Sequence, residues 1–230
     1  MKEISLLELL QSGAHFGHKT SYIFTVRNDI HILDLEKTRK ALSEAIEFAG
    51  NIAQTGGTIL FIGTKRQARS IIEKQAKVAG QPYINVRWLG GTFTNFKTIQ
   101  KTVRKLEKLQ ELKTSGQLES RYTKKERLMV EREIEKLEKL FTGMKDMKRI
   151  PQAVFIADIN YDDIALAEAR KMKVPIIAIV DTNSNPDGVD YAIPCNDDAT
   201  AAIDLVTSTI AQAVKEKKSV TPTTQEPVQA

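Results

Sequence analysis

Short apolar runs that lead directly into helical patterns are the most regular feature of the sequence. TILFIG at 58–63 is such a run, and the apolar positions of 65–79 then recur at helical spacing. A continuous apolar run of this length is typical of a strand buried on both faces. The same order returns at 152–158, before a helix beginning near Asp162, and at 174–181 after that helix. Strands and helices that alternate through short links predict a doubly wound parallel α/β sheet.

Shorter elements complete the predicted domain. An amphipathic helix at 4–12 precedes an extended segment at 22–33, which turns at Arg-Asn-Asp. Asp34 is placed to cap a long helix that ends at Gly56-Gly57. The remaining predictions are two short strands, 83–88 and 191–194, and a last helix that is capped by Asp197 or Asp198 and ends near Lys215.

The pattern changes between Phe96 and Phe141, where two apolar stripes follow helical spacing. They consist of Ile99, Val103, Leu106, Leu109 and Leu112, and of Val130, Ile134, Leu137 and Phe141. Thr123 and Glu126 form a capping-box pattern at the start of the second helix. We predict an antiparallel coiled-coil hairpin inserted into the α/β domain. The predicted boundaries are an α/β domain at 1–95 and 142–218, the hairpin at 96–141, and a flexible Pro/Thr/Gln-rich tail at 219–230.

Length and composition exclude several classes of protein. The 230 residues can bury one α/β core, and the single Cys195 favours a reducing compartment because it has no internal disulfide partner. The first residues lack the long apolar run and cleavage site of a signal peptide, and no run reaches the length of a membrane span. We expect a soluble cytoplasmic protein.

Charge is distributed unevenly along the chain, whose net charge is +5. Residues 87–150 carry 17 basic and 9 acidic side chains, whereas residues 151–230 carry 6 basic and 12 acidic ones. No Asp or Glu occurs from Lys74 to Leu106. This polarity predicts one surface for a polyanion and another for water or a cationic partner, and the alternative is a solvated pair of charged helices.

A candidate phosphate site follows the strand at 58–63. Helix amides near Thr64, together with Lys65, Arg66 and Arg69, are suited to hold a phosphate. The chain has neither the phosphate loop of nucleotide hydrolases nor the G-x-G-x-x-G fingerprint, so a mononucleotide enzyme is poorly supported. The phosphate of a polymer backbone fits this site equally well. The alternative interpretation is a capped helix start whose basic residues are solvated and bind nothing.

A polar loop follows the strand at 174–181. Its carboxylates and amides belong to Asp181, Asn183, Asn185, Asp187 and Asp190. Such residues can bind Mg²⁺ for phosphoryl transfer. They also build turns through hydrogen bonds to their own backbone, and we favour the turn interpretation because no phosphate loop accompanies them.

The motif HFGH places two histidines three positions apart. A third metal ligand beside His15 and His18 is not identifiable from spacing, so packing or a backbone contact is the favoured role. No nucleophile elbow or Cys-based site is present in the sequence. We therefore expect no metal, no cofactor and no catalysis.

The stretch RWLGGTFTNFKT at 87–98 carries the chain's only tryptophan. The Gly90-Gly91 pair permits close approach of the backbone, and Thr92, Thr94 and Asn95 offer short hydrogen-bonding groups. The basic residues that follow along the helix are Lys97, Lys101, Arg104 and Lys105. This combination suits a folded RNA, with cations on its phosphates. For Trp88 we favour a place in the core over stacking on a base.

These motifs together resemble the ribosomal protein S2 family, in its bacterial form. The stretches that carry the resemblance are LLELLQSGAHFGHKT, NDIHILDLEKT, ILFIGTKRQA, RWLGGTFTNF, IPQAVFIAD and VPIIAIVDTNSNPDGVDYAIPCNDDA, in family order from about Leu6 to Ala213. The resemblance implies a flavodoxin-like sheet with an inserted helical hairpin. It also implies a non-catalytic protein that binds small-subunit ribosomal RNA between head and body and helps to dock ribosomal protein S1.

The residues expected to contact RNA are His15, His18, Lys19, Lys65, Arg66, Arg69, Arg87, Thr92, Asn95, Lys97, Lys101, Arg104 and Lys105.

One departure from the family concerns the loop after HFGHKT, where the family usually carries a further stretch rich in Trp, Arg, Asn, Pro and Lys. Here Thr20 is followed directly by Ser21-Tyr22. Either this loop is short or a segment has been left out of the chain. We favour the second explanation, because so few residues could hardly span the distance from the end of the loop to a distant strand.

Two other functions compete with this hypothesis. An enzyme of nucleotide or phosphate-ester chemistry would use Asp181, Asp187 and the basic turn, and it would require a mononucleotide-sized pocket. A protein-interaction scaffold would bind another helix through the hairpin. We rank the scaffold last because the two apolar stripes are narrow enough to be buried against each other.

Overall fold

The computed structural model describes residues 4–17, 23–27 and 30–219. The loop at 18–22 and the predicted tail from residue 220 onward lie outside the described residues. The predictions made for them, including the length of that loop, therefore stay predictions.

Eight α-helices and eight strands form within the described residues. The helices are α1 Leu6–Gln11, α2 Leu35–Gln54, α3 Arg69–Ala79, α4 Phe96–Thr114, α5 Gln117–Arg121, α6 Lys124–Phe141, α7 Asp163–Lys171 and α8 Thr200–Ser219, and a short 3-10 helix covers Thr142–Met144. The strands are β1 Phe16–Gly17, β2 Ile23–Arg27, β3 Ile30–Leu33, β4 Ile59–Ile62, β5 Tyr83–Ile84, β6 Ala153–Ile156, β7 Ile176–Val180 and β8 Tyr191–Pro194.

The main sheet has five parallel strands in the order β5-β4-β6-β7-β8. Numbered by their place in the chain, these strands follow the order 2-1-3-4-5, which is the order of flavodoxin-like folds. The predicted doubly wound α/β fold is confirmed at this level. In such a sheet the ligand crevice lies at the carboxyl ends of the strands, where the order reverses. Here the order reverses between β4 and β6.

The sheet is buried on both faces, as the continuous apolar strands predicted. Ile59 and Phe61 of β4 point into a core that also contains α2, α3 and α8. Leu60 and Ile62 point into a second core formed with α7 and the base of α4. Since successive side chains of a strand alternate between faces, one apolar strand supplies both cores.

A smaller antiparallel sheet, in the order β1-β3-β2, forms from the segment that was predicted to be extended. It leads directly into α2, which begins after Asp34. The Asp34 carboxylate accepts hydrogen bonds from the amides of Glu36 and Lys37, so the predicted cap is confirmed.

Three helices, α4 to α6, are inserted between β5 and β6. The predicted capping box of α6 is present, because Thr123 and Glu126 each accept the other's backbone N–H. The predicted break between the two long helices contains a further helix, α5, whose Leu118 is buried. Side chains of α4 and α6 meet at Lys105–Glu133 and at Gln110–Glu138. The antiparallel coiled coil itself stays a prediction.

Two element boundaries differ from the sequence prediction. Strand β5 ends at Ile84 instead of continuing to residue 88. The next residue, Asn85, donates a hydrogen bond from its side-chain amide to the Glu73 carboxylate of α3. Helix α8 covers Thr200–Ser219 and so extends beyond the predicted end near Lys215. Of the two predicted capping residues, Asp197 turns its carboxylate toward Lys65. The side chain of Asn196 accepts hydrogen bonds from the amides of Asp198 and Ala199.

Candidate nucleic-acid interface

The carboxyl ends of the strands converge on Lys65, which follows β4. Its Nζ lies 2.9 Å from an oxygen of Asp158, 2.7 Å from one of Asp197 and 2.6 Å from one of Asp198. Asp158 follows β6, and the other two aspartates follow β8. Only Asp198 of the three has a substantially exposed side chain, at 46%. The crevice where this fold usually binds its ligand therefore contains an internal cation and its carboxylates.

Burial and charge act in opposite directions within this cluster. Burial alone would lower the pKa of Lys65, but hydrogen bonds to Asp197, Asp198 and Asp158 outweigh burial and raise the pKa above its ordinary value. Burial raises the pKa of Asp197 to about 6, and its hydrogen bond with Lys65 only partly opposes this effect. One ammonium thus faces three carboxylates, and burial makes Asp197 easier to protonate than an ordinary aspartate.

The amide of Thr64, which was predicted to contribute to a phosphate site, donates to a buried carboxylate instead. Its N–H lies 3.0 Å from Oδ2 of Asp162, and its hydroxyl lies 2.7 Å from Oδ1. Burial raises the pKa of Asp162, although these two hydrogen bonds oppose the shift. Because protein carboxylates already contact both Thr64 and Lys65, we leave Lys65 out of the interface proposed below.

The polar loop after β7 has the hydrogen bonds of turns, as we expected. The Asp187 amide donates to the side chain of Asn185 at 3.0 Å, and the Thr182 amide donates to Asp181 at 2.5 Å. Within the part of the chain that the structure describes, no three His, Cys, Asp or Glu side chains are arranged to hold a metal ion.

The RWLGGTFTNFKT segment is organised by one buried carboxylate, Glu168 of α7. Glu168 accepts hydrogen bonds from the amides of Gly91, Phe93 and Thr94 at 2.5, 2.9 and 3.1 Å. The Trp88 indole N–H and the Thr94 hydroxyl donate to it at 3.3 and 3.2 Å. Burial alone would raise the pKa of Glu168, but these hydrogen bonds outweigh burial and lower the pKa below its ordinary value.

Trp88 lies in the core, as the sequence analysis favoured. Its side chain is 6% exposed, and its ring meets that of Phe93 edge to face with 5.0 Å between the centroids. The Gly91 backbone adopts a φ of 92°, which favours glycine and lets the chain turn over the carboxylate of Glu168. The Thr92 hydroxyl donates to the Leu89 carbonyl and is buried, so this predicted RNA contact faces inward.

Helix α4 leaves this anchored loop with a stripe of exposed cations. Lys97, Lys101 and Arg104 are exposed, and within the described residues none of them forms a salt bridge. Lys105 lies at the edge of the stripe and pairs with Glu133 of α6 at 2.5 Å. We name Lys97, Lys101, Arg104 and Lys108 the α4 stripe, because about 3.6 residues per turn places them on one side of the helix.

The other predicted contacts are spread more widely. Arg66, Arg87 and Asn95 are exposed. Arg69 is exposed too, but its guanidinium donates to the carbonyls of Thr64 and Val86. The ring of His15 packs on that of Phe16 with 4.0 Å between the centroids, and burial lowers the pKa of His15. His18 and Lys19 lie outside the described residues.

Two functional residues were missed by the sequence analysis. The role of Glu168 could have been predicted from the sequence, because this residue lies with the buried Ala165 and Ala169 on the inner face of α7. A charged residue on an apolar helix face is rare unless it has partners. Asp158 was read only as the end of a strand, and its pairing with Lys65 joins positions 93 apart, which no local pattern reveals.

Comparison with known proteins identifies the family. The family model described as Ribosomal protein S2 matches residues 9–217. The chain belongs to the ribosomal protein S2 family. The family membership that the sequence motifs indicated is therefore confirmed. Members of this family are structural proteins of the small ribosomal subunit and act in translation. None of the described helices of this ribosomal protein S2 chain has the length and the apolar character of a membrane span.

Proposed function

We propose that this chain binds small-subunit ribosomal RNA between the head and the body of a bacterial-type subunit. The α4 stripe carries this proposal, because its four exposed cations have no salt-bridge partner among the described residues and follow an anchored loop. Cations that are not neutralised by the protein's own carboxylates remain available to neutralise phosphates.

The proposed division of labour follows the predicted domains. The α/β domain at 1–95 and 142–218 acts as the scaffold, and the insertion at 96–141 acts as a helical arm of coiled-coil type. Glu168 supports this arrangement because it ties α7 of the scaffold to the loop from which α4 starts. The arm's cations are thereby placed on a rigid base, which lowers the entropy lost when they meet RNA.

Replacing Lys97, Lys101 and Arg104 together by alanine tests the RNA role. The expected result is weaker binding to small-subunit ribosomal RNA and a slope of log K against log salt that is smaller by roughly 2 to 3, at about 0.7–0.9 per lost phosphate contact. Binding is measured by fluorescence anisotropy over a range of salt concentrations.

The matched control removes the same charge elsewhere, through alanine at Lys171, Lys173 and Lys215, which are exposed at the end of α7 and on α8. This control is expected to change the slope far less, because these lysines belong to the acidic part of the chain. Equal effects of the two triple variants would show a general charge effect and would remove the role assigned to α4.

We propose further that the acidic part of the chain docks ribosomal protein S1. Tyr161 and Ile164 at the start of α7 are 55% and 51% exposed, and the exposed Asp163 lies between them in sequence. An exposed apolar pair beside a carboxylate suits a protein partner, because the carboxylate repels phosphate.

Alanine at Tyr161 and Ile164 is expected to weaken the binding of purified ribosomal protein S1 by about tenfold or more. Isothermal titration calorimetry measures the affinity, and Met172→Ala, at an exposed apolar position at the other end of α7, is the control. Unchanged affinity in the double variant would exclude this surface from the docking site.

A further inference from the structure

A groove with an apolar floor lies between α4 and the segment that follows the 3-10 helix. Its volume is about 310 Å³. The floor consists of Phe96, Ile99, Val103, Met144 and Met147, which are buried or half-buried. Arg104 and Lys148, both exposed, stand on its two lips. The groove therefore combines an apolar surface of the size of a small ligand with cations on opposite sides.

The groove lies directly beside the α4 stripe. Arg104 belongs to both, since it is a member of the stripe and also lines the groove. On a helix with about 3.6 residues per turn, Gln100 and Val103 occupy the side of α4 next to the stripe. If the phosphate backbone of an RNA followed the α4 stripe, the bases attached to that backbone would thus lie at the mouth of the groove.

The polar groups at the groove match the edge of a nucleobase. The Gln100 amide N–H donates to the Lys148 carbonyl at 2.6 Å, which fixes the side chain and leaves its Oε1 as an acceptor at the lip. The Glu107 carboxylate also lines the groove. Carboxylate and amide oxygens accept hydrogen bonds from exocyclic amino groups of bases, whereas a carboxylate repels a phosphate.

We propose that this groove binds one unpaired, amino-bearing nucleobase of an RNA whose phosphates lie along the α4 stripe. The proposal rests on the RNA role proposed above and deepens it. Sequence-specific RNA recognition depends on unstacked bases that are buried against side chains and contacted at their edges. The stripe would thus supply affinity, and the groove would supply discrimination among sequences.

The test exploits the burial of Cys195, the chain's single cysteine. Its side chain is fully buried, and burial raises the pKa of its thiol, so it is unreactive toward maleimides in the folded protein. A Gln100→Cys variant can therefore be blocked selectively with N-ethylmaleimide, which changes no charge. A Thr98→Cys variant, at an exposed position on the other side of α4, is the matched control.

Two probes of equal charge are compared by fluorescence anisotropy at low salt, namely a short oligocytidine strand and an abasic ribose-phosphate strand of the same length. The unmodified protein is expected to bind oligocytidine about tenfold more tightly than the abasic strand. The blocked Gln100→Cys variant is expected to lose this preference, whereas the blocked Thr98→Cys variant keeps it.

Two outcomes would overturn the proposal, and they are distinguishable. If both strands bind the unmodified protein with equal affinity, or if the blocked Gln100→Cys variant keeps the preference, the groove is not a base site although the RNA role stands. If neither strand binds even at low salt, the proposed RNA role is lost together with the groove.

Discussion

Replacing Lys65 by methionine is expected to lower the free energy of unfolding by about 3–5 kcal/mol at pH 7, because it leaves buried carboxylates without their cation. Asp158 and Asp197, whose side chains are 7% and 4% exposed, both lose the ammonium. Urea unfolding followed by the fluorescence of Trp88, the only tryptophan, measures the change. Arg66→Met, at the exposed neighbouring position, is the control and is expected to change stability by less than about 0.5 kcal/mol.

The loss caused by Lys65→Met is expected to be smaller at pH 5 than at pH 7. Burial raises the pKa of Asp197 from 3.8 to about 6 in the folded protein. The folded state therefore binds a proton at Asp197 more readily than the unfolded state does. That contribution to stability is fully present below pH 3.8 and is lost as the pH rises through about 6. Acid thus neutralises one of the carboxylates that the variant leaves unpaired.

A double variant separates charge from packing. In the Asp197→Asn background, Lys65→Met removes the cation from one carboxylate fewer, so the loss is expected to be smaller by at least about 1 kcal/mol. If the two changes are additive, or if Lys65→Met is no more harmful than Arg66→Met, the ammonium does not stabilise the cluster. The original expectation that Lys65 faces a phosphate would then regain support.

The parallel sheet could be predicted because its signals are local. The apolar runs at 58–63, 152–158 and 174–181 each contain their strand, and the links between strands and helices are short. Burial on both faces leaves a continuous apolar stretch that no turn or amphipathic helix imitates over the same length. The boundaries at 83–88 were less predictable, because the strand ends where Asn85 meets Glu73 of another element.

The site was only partly predictable, and Lys65 shows why. A lysine at the carboxyl end of a central strand fits a phosphate site, and its local sequence contains nothing against that interpretation. Its partners lie 93 or more positions away, and they reach it only because parallel strands end at the same edge of the sheet. By contrast, the exposure of Lys97 and Lys101 follows from helical spacing alone, so the α4 stripe was predictable.

Glu168→Gln is expected to destabilise the protein by about 2–4 kcal/mol, because an amide cannot accept all the hydrogen bonds that the carboxylate accepts. The amides of Gly91, Phe93 and Thr94 converge on the two oxygens of Glu168. Glutamine would turn an NH₂ group toward at least one of them and leave a buried donor unsatisfied. Asp163→Asn on the same helix is the control, since Asp163 is exposed and bonds only its neighbour's amide.

The pH dependence of this variant distinguishes lost charge from lost packing. In the unmodified protein the lowered pKa of Glu168 contributes stability that is present above its ordinary value of 4.5 and is lost as the pH falls below it. Glu168→Gln is therefore expected to lose less stability between pH 5 and pH 3 than the unmodified protein does. An identical pH dependence in both proteins would contradict the assignment of the carboxylate as the group that holds the loop.

The same variant connects the buried carboxylate to the proposed interface. Helix α4 starts from the loop that Glu168 organises, so a loosened loop would let the α4 stripe move relative to the scaffold. Under conditions where Glu168→Gln remains folded, its affinity for small-subunit ribosomal RNA is expected to fall while the salt slope stays unchanged, because no phosphate contact is removed. A two-dimensional NMR spectrum reports the loop directly through the indole N–H of Trp88, which donates to Glu168. An unmoved indole resonance together with normal RNA affinity would show that α4 is positioned without this carboxylate.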